Sequence, residues 1–297
     1  MNEEALSFET VSSPIHTRNW ASQHLPEEIR KRIDQIIYKP PGRKFAEGLG
    51  LKTPKLYGQN ITLYETFELV QGLGLERFVV KPVSGKNSWC VLPVCRVSDR
   101  SFYNIIERSE RTIEDLIASA WHDYRKYKIA AGSKKFNRWI VEELLLSDPG
   151  SMEPIDDYKF YCFFGECFLI LHKRNFFEDG KWSSRYRWYN DQWEPVDTGK
   201  YVDKIDSALH PPEGGRSVLV ETAVETSLKI PVPFVRLDFY YSDGKVYFGE
   251  FTQFPGNPAG FSETIRREMG DRWMRASKRL EQAIASGLCG RLKRYFR

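Results

Sequence analysis

Residues 234–261, FVRLDFYYSDGKVYFGEFTQFPGNPAGF, decide the reading of this chain. Two apolar runs flank a tight turn at Ser242–Lys245, so the stretch reads as a β-hairpin. Arg236 and Asp238 are two apart and project from one face of the first strand. Glu250 follows at a distance that lets the returning strand carry its carboxylate beside Asp238. Two acids and a guanidinium on one sheet face are costly unless something neutralises them. A hard dication held by the carboxylates, with the arginine facing a phosphate, meets that need. The bland alternative is a structural Arg236–Asp238 ion pair.

Working outward, Lys81 lies in FVVKPVSGKNS (78–88), inside an apolar strand, where a lysine either meets an anion or faces outward to water. Small residues after it, including Ser84 and Gly85, offer backbone N–H groups to phosphate oxygens. The loop is not a Walker loop, since GxxxxGK[ST] is absent. IVEELL (140–145) ends a strand that is either simply solvated there or brings Glu142, Glu143 or backbone groups out to Leu145 to the edge of adenine. In DDYKFYCFFGECFLILHKRN (156–175), a hairpin turning at Phe164–Glu166, Asp157 and Lys159 share a face. Asp157 suits ribose hydroxyls and Lys159 suits phosphate. Lys173 and Arg174 at the hairpin's end either add positive charge or face water. Residues 176–201 read as a meander or ordered loop, and the aromatic segment 182–193 within them either stacks on a sugar face or packs on the core.

The wider chain sets bounds. Its 297 residues allow ample core, and a net charge of +4 is too mild to argue for nucleic acid. No run of 18 uncharged apolar residues exists, so no transmembrane helix is expected. The acidic N-terminus has no signal-peptide core, which predicts a cytoplasmic protein. The five cysteines have no metal-site spacing and are expected as reduced thiols. The basic end, GRLKRYFR (290–297), reads as a solvated tail or a peripheral contact with anionic lipid or an acidic partner. Residues 1–25 read as an irregular or partly ordered lead-in. Pro26 starts a helix that KPPGRK (39–44) breaks, and Ser262 caps a closing helix.

Taken in order, FVVKPVSGKNS, IVEELL, DDYKFYCFFGECFLI and VRLDFYYSDGKVYFGEFTQFPG resemble the ATP-grasp superfamily. The match is closest to its TupA-like branch, associated with teichuronopeptide and capsule-type polysaccharide biosynthesis. The resemblance implies an α+β ATP-grasp fold with nucleotide between two α+β lobes. The parts would be the lead-in 1–25, a short N-terminal lobe 26–75, a central lobe 76–145 with the phosphate loop, and a C-terminal lobe 146–297 with the metal site. It implies ATP and Mg²⁺ as cofactors, Lys81 and Lys159 near phosphates, Glu142 and its neighbours at adenine, and Asp157 at ribose. Asp238, Glu250 and Thr252 form the metal set, and Arg236, Lys81 and Lys173 the catalytic one. Many relatives carry Asn where Thr252 stands, and a neutral hydroxyl is a poorer Mg²⁺ ligand. Gln253 or Asn257 would then compensate.

The implied reaction is carboxylate–amine ligation through an acyl phosphate. The expected substrates are small-molecule acids and amines, including a uronic-acid sugar, a nucleotide-sugar or an amino acid, in surface-glycan assembly. The rivals are a sugar kinase and a non-catalytic nucleotide- or glycan-binding subunit.

Overall fold

The structure is a computed structural model. It describes residues 7–83, 90–130, 138–147, 153–178, 181–254 and 256–296. The phosphate-loop residues Ser84 and Gly85 lie outside them.

The chain begins with four helices, α1 (Phe8–Val11), α2 (Pro14–His24), α3 (Glu27–Ile36) and α4 (Lys39–Gly48). Then follow β1 (Leu56–Ile61), α5 (Leu63–Gly72), β2 (Arg77–Pro82), β3 (Leu92–Arg96), β4 (Ser101–Asn104) and β5 (Ser109–Thr112). The middle of the chain gives α6 (Ile113–Ala130), β6 (Trp139–Glu143), β7 (Asp157–Cys162), β8 (Cys167–Glu178) and β9 (Lys181–Tyr189). The last elements are α7 (Arg216–Ser227), β10 (Val235–Ser242), β11 (Lys245–Thr252), α8 (Glu263–Ala285) and α9 (Leu288–Leu292).

Contacts group the chain into two compact units. One holds residues 1–53, 156–174 and 184–297, and the other 54–155 and 175–183. The grouping is discontinuous in sequence.

The larger unit is built on a five-stranded sheet, ordered β11-β10-β7-β8-β9. One face carries Leu237 and Phe239 of β10 and Phe160 of β7, all fully buried, as the alternation of the strands requires. They belong to a core that also takes Ile29 and Ile33 from α3, Phe45 from α4, and Met269 and Trp273 from α8. Asp243 and Gly244 both have positive φ (51° and 68°), the backbone that a two-residue hairpin demands. The β7–β8 turn sets Cys162 opposite Cys167, and all five cysteines are free thiols.

Of the two readings of the lead-in, irregular and partly ordered, helices α1 and α2 give the ordered one. Ser13 caps α2 by accepting the His16 N–H, and Pro14 occupies the first turn, where its missing N–H costs nothing. Phe8 packs edge-on against Phe234 and Trp20 against Trp273. KPPGRK does end α3, but it also opens α4. Its two prolines sit in the first turn, where a fixed φ favours helix initiation. Of the two readings of residues 176–201, meander and ordered loop, the strand β9 beside β8 gives the meander through Tyr189. Trp188 and Trp193 pack into the core, and Tyr186 stacks on Tyr201 at 4.3 Å. The basic end forms α9 and a short 3₁₀ turn, with Leu288 and Leu292 buried and Lys293 3.4 Å from Glu28.

The second unit is a six-stranded antiparallel sheet, ordered β1-β6-β2-β3-β4-β5. Its main core joins Phe78 and Val80 of β2, Val141 of β6 and Phe67 of α5 to Leu116, Ala120 and Tyr124 on one face of α6. Thr62 begins α5 with a capping box, its hydroxyl on the Glu65 N–H and the Glu65 carboxylate on the Thr62 N–H.

Candidate active site

On the sheet of the larger unit, the face opposite the core is charged. Register places Asp238 of β10 between Lys159 of β7 and Glu250 of β11, with Tyr161 and Thr252 flanking Arg236. Asp157 pairs with Lys173 on β8. Seven of the expected site residues, Thr252 among them, are therefore brought onto one surface.

Their contacts form a continuous network. Arg236 grips Asp238 with two bonds, Nε to Oδ1 at 2.6 Å and Nη2 to Oδ2 at 2.7 Å. Nη2 also donates to Glu250 Oε1 at 2.9 Å. Lys159 bridges Asp238 and Asp157, reaching Asp157 Oδ2 at 2.5 Å. Asp238 is 3% exposed in its side chain. Burial alone would push its carboxyl up, but Arg236 and Lys159 outweigh that and hold it down to about 2. Burial likewise opposes charge on Lys159, yet Asp157 and Asp238 raise its pKa. Glu250 moves the other way: burial and the neighbouring Asp238 carboxylate raise it. Burial lowers Lys173. The Arg236–Asp238 pair is thus present, as part of a larger charged array.

A model of the "TupA-like ATPgrasp" domain matches residues 64–274. The chain belongs to the TupA-like ATP-grasp family. Its fold is the ATP-grasp fold. Similar solved structures include D-alanine–D-alanine ligase from Bacillus anthracis, at 16% identity and TM-score 0.48, covering 83% of this chain and 68% of that one. ATP-grasp ligase PsnB, complexed with a phosphomimetic variant of its minimal precursor, Mg and ADP, is 12% identical with TM-score 0.49, covering 91% and 67%. D-cycloserine synthetase DcsG is 16% identical with TM-score 0.45, covering 91% and 73%. No curated protein matches the chain.

ATP-grasp chemistry implies a divalent cation, and the donors here suit one of a particular kind. Among the described residues, no cluster of three or more His, Cys, Asp or Glu is arranged to hold a metal. An all-protein cage is therefore missing, but Mg²⁺ characteristically takes one or two carboxylates and completes its shell with phosphates and water. Asp238 and Glu250 supply such a pair of hard oxygen donors. Glu250 keeps its side chain 46% exposed, and Asp157 Oδ1 is buried with no hydrogen-bond partner. An acceptor left unsatisfied in this way is costly, and an incoming donor or cation would relieve it.

The TupA-like chain also holds a buried lysine near Arg236 that its sequence did not single out. Lys200 is 8% exposed and lies in the coil between β9 and α7. Its Nζ donates to the Asn257 carbonyl at 2.8 Å and sits 4.4 Å above the Phe261 ring. No carboxylate pairs with it among the described residues. Burial, then nearby Arg236, lowers its pKa to about 8. Coil carries no periodicity, so the only signal was a lysine two residues after a Thr in an aromatic-rich stretch.

The remaining expectations divide. Lys81 and Glu142, in the other unit, form a direct ion pair across β2 and β6. Beside them, Glu143 Oε2 accepts the Lys55 N–H at 2.9 Å, and Leu145 is buried. Arg174 does not join the charged face. It makes two bonds to Asp156, which also meets His172 Nε2 at 2.8 Å, on the opposite side of β7 and β8. Gln253 and Asn257 are engaged elsewhere. Gln253 is buried with Nε2 on the Ile33 carbonyl, and Asn257 Oδ1 accepts the Ala259 N–H.

Proposed function

We propose that this ATP-grasp protein is a ligase that joins a carboxylate to an amine through an acyl phosphate, with Mg²⁺-bound ATP as phosphoryl donor. We further propose that the acid is a uronic-acid sugar or an amino acid, used in surface-polysaccharide assembly in the cytoplasm. The observation that carries the reading is the Lys159–Asp238–Arg236–Glu250 array on one sheet face. Asp238 and Glu250 would hold the Mg²⁺, which when bound offsets charge on the phosphates.

The first step brings two anions together, because a substrate carboxylate oxygen must bond to the γ-phosphorus as ADP leaves. Arg236 and Lys173 lower that repulsion and keep the reactants in line. Arg236 suits growing charge on the transferred group, since its guanidinium stays protonated and is held rigidly by two carboxylates. Lys81, Lys159 and Lys200 are assigned to phosphate oxygens, Asp157 to ribose, and Glu142, Glu143 and the backbone near Leu145 to adenine. A buried ammonium without a carboxylate partner, as in Lys200, supports such an assignment. In the second step the amine nitrogen attacks the acyl carbon. The C–O bond to phosphate breaks, and nitrogen loses a proton as the amide forms.

ADP release by the purified chain across candidate acid and amine pairs tests this reading. We expect turnover that needs ATP, an acid and an amine together, with a product whose mass is their sum less one water. A phosphorylated sugar would instead mean a kinase. No turnover with any pair, and no ATP binding by calorimetry, would overturn the proposal.

A further inference from the structure

The charged face does not end at Lys159. Tyr161, two residues further along β7, shares its side of the strand and stands opposite Arg236. It meets Trp188 of β9 edge-on at 5.4 Å. The face therefore passes from acids and cations on β10 and β11 to aromatic rings at the β9 edge of the sheet. Trp188 Nε1 donates to the Lys200 carbonyl at 3.2 Å and so ties down the coil that follows β9. The residue this coil presents next is Tyr201.

Tyr201 has φ 65° and ψ 29°, a left-handed backbone that a bulky residue occupies only at a cost. Its ring stacks on Tyr186 at 4.3 Å and 15° and lies parallel to Trp188. With one ring face taken by Tyr186, 39% of the residue is still open to solvent. Burial and then Tyr186 raise its phenol, while Arg236 and Lys159 pull it back, so the ring lies within electrostatic reach of the charged array. Lys200 Nζ, 5.4 Å from the ring centroid, keeps a further positive charge beside it.

A strained, half-open aromatic ring bordered by cations has a definite chemical complement. The face of an aromatic ring carries negative potential and attracts the polarised C–H groups of a sugar ring. The adjoining cations suit an anion carried on that same sugar. The acyclic chain of an amino acid offers no such flat C–H face. Resting on the ligase reading above, we propose that Tyr201 is the platform for a hexuronate: the pyranose stacks on the open part of its ring, and the carboxylate is directed toward Arg236. Of the two acids named above, the platform selects the uronic-acid sugar.

Saturation-transfer NMR on the full-length chain, with and without a non-hydrolysable ATP analogue, reads the platform through the ring protons of D-glucuronate and D-galacturonate. We expect at least one of these to bind more tightly than D-glucose, D-glutamate or benzoate. Tyr201→Phe should keep that affinity. Tyr201→Gly should weaken it by about tenfold, in line with loss of one aromatic contact. The urea midpoint of Tyr201→Gly should hold, because glycine adopts this φ without strain. Uronate binding that is absent, no tighter than that of glutamate or benzoate, or unchanged in Tyr201→Gly would overturn the platform. The ligase reading would then still stand on ADP release with other acids. A collapse of the urea midpoint in Tyr201→Gly would make the residue structural and overturn the platform as well. Tyr201-dependent uronate binding without ADP release from any acid and amine pair would keep the platform and remove the ligase reading.

Discussion

Glu250 stands opposite Asp238 because Gly249 is left out of the ladder. From the turn pair Ser242–Lys245 the strands run in step to Phe239–Phe248, and regular pairing would next set Gly249 against Asp238. Glu250 would then oppose Leu237 and point into the core. The one-residue bulge moves it to the charged face. Gly249 is suited to the position: a Cβ there would lie 3.0 Å from the Asp238 carbonyl oxygen and 3.1 Å from the Tyr240 ring.

Gly249→Ala should therefore disturb the acid pair more than the fold. Overpacking of this kind costs about 1–3 kcal/mol. We expect a modest drop in the urea midpoint and at least a tenfold rise in the Mg²⁺ concentration needed for half-maximal ADP release. An unchanged Mg²⁺ requirement would show that the bulge does not set the Glu250 position.

The two acids should respond in opposite directions to neutralisation. Asp238→Asn leaves Arg236 and Lys159 without their shared counter-charge, and breaking such a buried pair costs about 3–5 kcal/mol. Glu250→Gln removes a carboxylate held near another carboxylate, so stability at neutral pH should hold or rise. Both should lose ADP release by at least a hundredfold. Denaturation and turnover measured on the same samples check the contrast.

Acid stability should carry the signature of Asp238. Its folded pKa, about 2, lies below the ordinary carboxylate value of 3.8, so its stabilisation is fully present above about pH 4. That contribution is lost as pH falls from about 4 toward 2. Glu250, shifted upward, works in reverse: its contribution is present at low pH and fades as pH rises above the ordinary range. Urea midpoints measured from pH 7 to pH 2 should fall less steeply below pH 4 in Asp238→Asn.

Lys200 predicts a pH dependence of nucleotide affinity. Its ammonium loses its proton near pH 8, so ATP affinity should weaken as pH rises through 8. Lys200→Arg should flatten that profile, since guanidinium stays charged. Lys200→Met should weaken ATP binding at pH 7 by about tenfold, in line with loss of one charged hydrogen bond. Calorimetric titration at pH 6.5 to 9 checks all three.

The reverse of the sheet should behave as pure structure. Asp156 accepts from His172 and twice from Arg174, yet none of the three reaches the charged face. Asp156→Ala should cost about 1–3 kcal/mol by stranding its partners. The KM for ATP should stay within twofold in the protein that remains folded.

Much of this was legible in the chain. Alternation in 234–252 and the Asp243–Gly244 turn gave the hairpin, and the two-residue spacings Arg236–Asp238 and Asp157–Lys159 gave the shared face. Spacing alone left the side of Glu250 unspecified, because a bulge changes parity and FGEF carries no mark of one. Parity also explains Gln253: one residue beyond Thr252, it faces the core. Helices α1 and α2 escaped notice because they are short and their buried residues, Phe8, Val11, Thr17 and Trp20, follow no long helical stripe. Lys200 sits in coil, where position is set entirely by tertiary contacts. The aromatic segment left two readings open, and burial of Trp188 and Trp193 favours the packed one.

The opening helices bear on how this enzyme can be shortened. Phe8 and Trp20 cover Phe234 and Trp273, and Glu9 meets Arg266 at 3.0 Å. Trimming to Pro26, where amphipathic order first becomes obvious by eye, would uncover an aromatic wall several residues wide. Such a fragment should precipitate or be captured by chaperones, and its silence in an assay would say nothing about the chemistry of the intact protein.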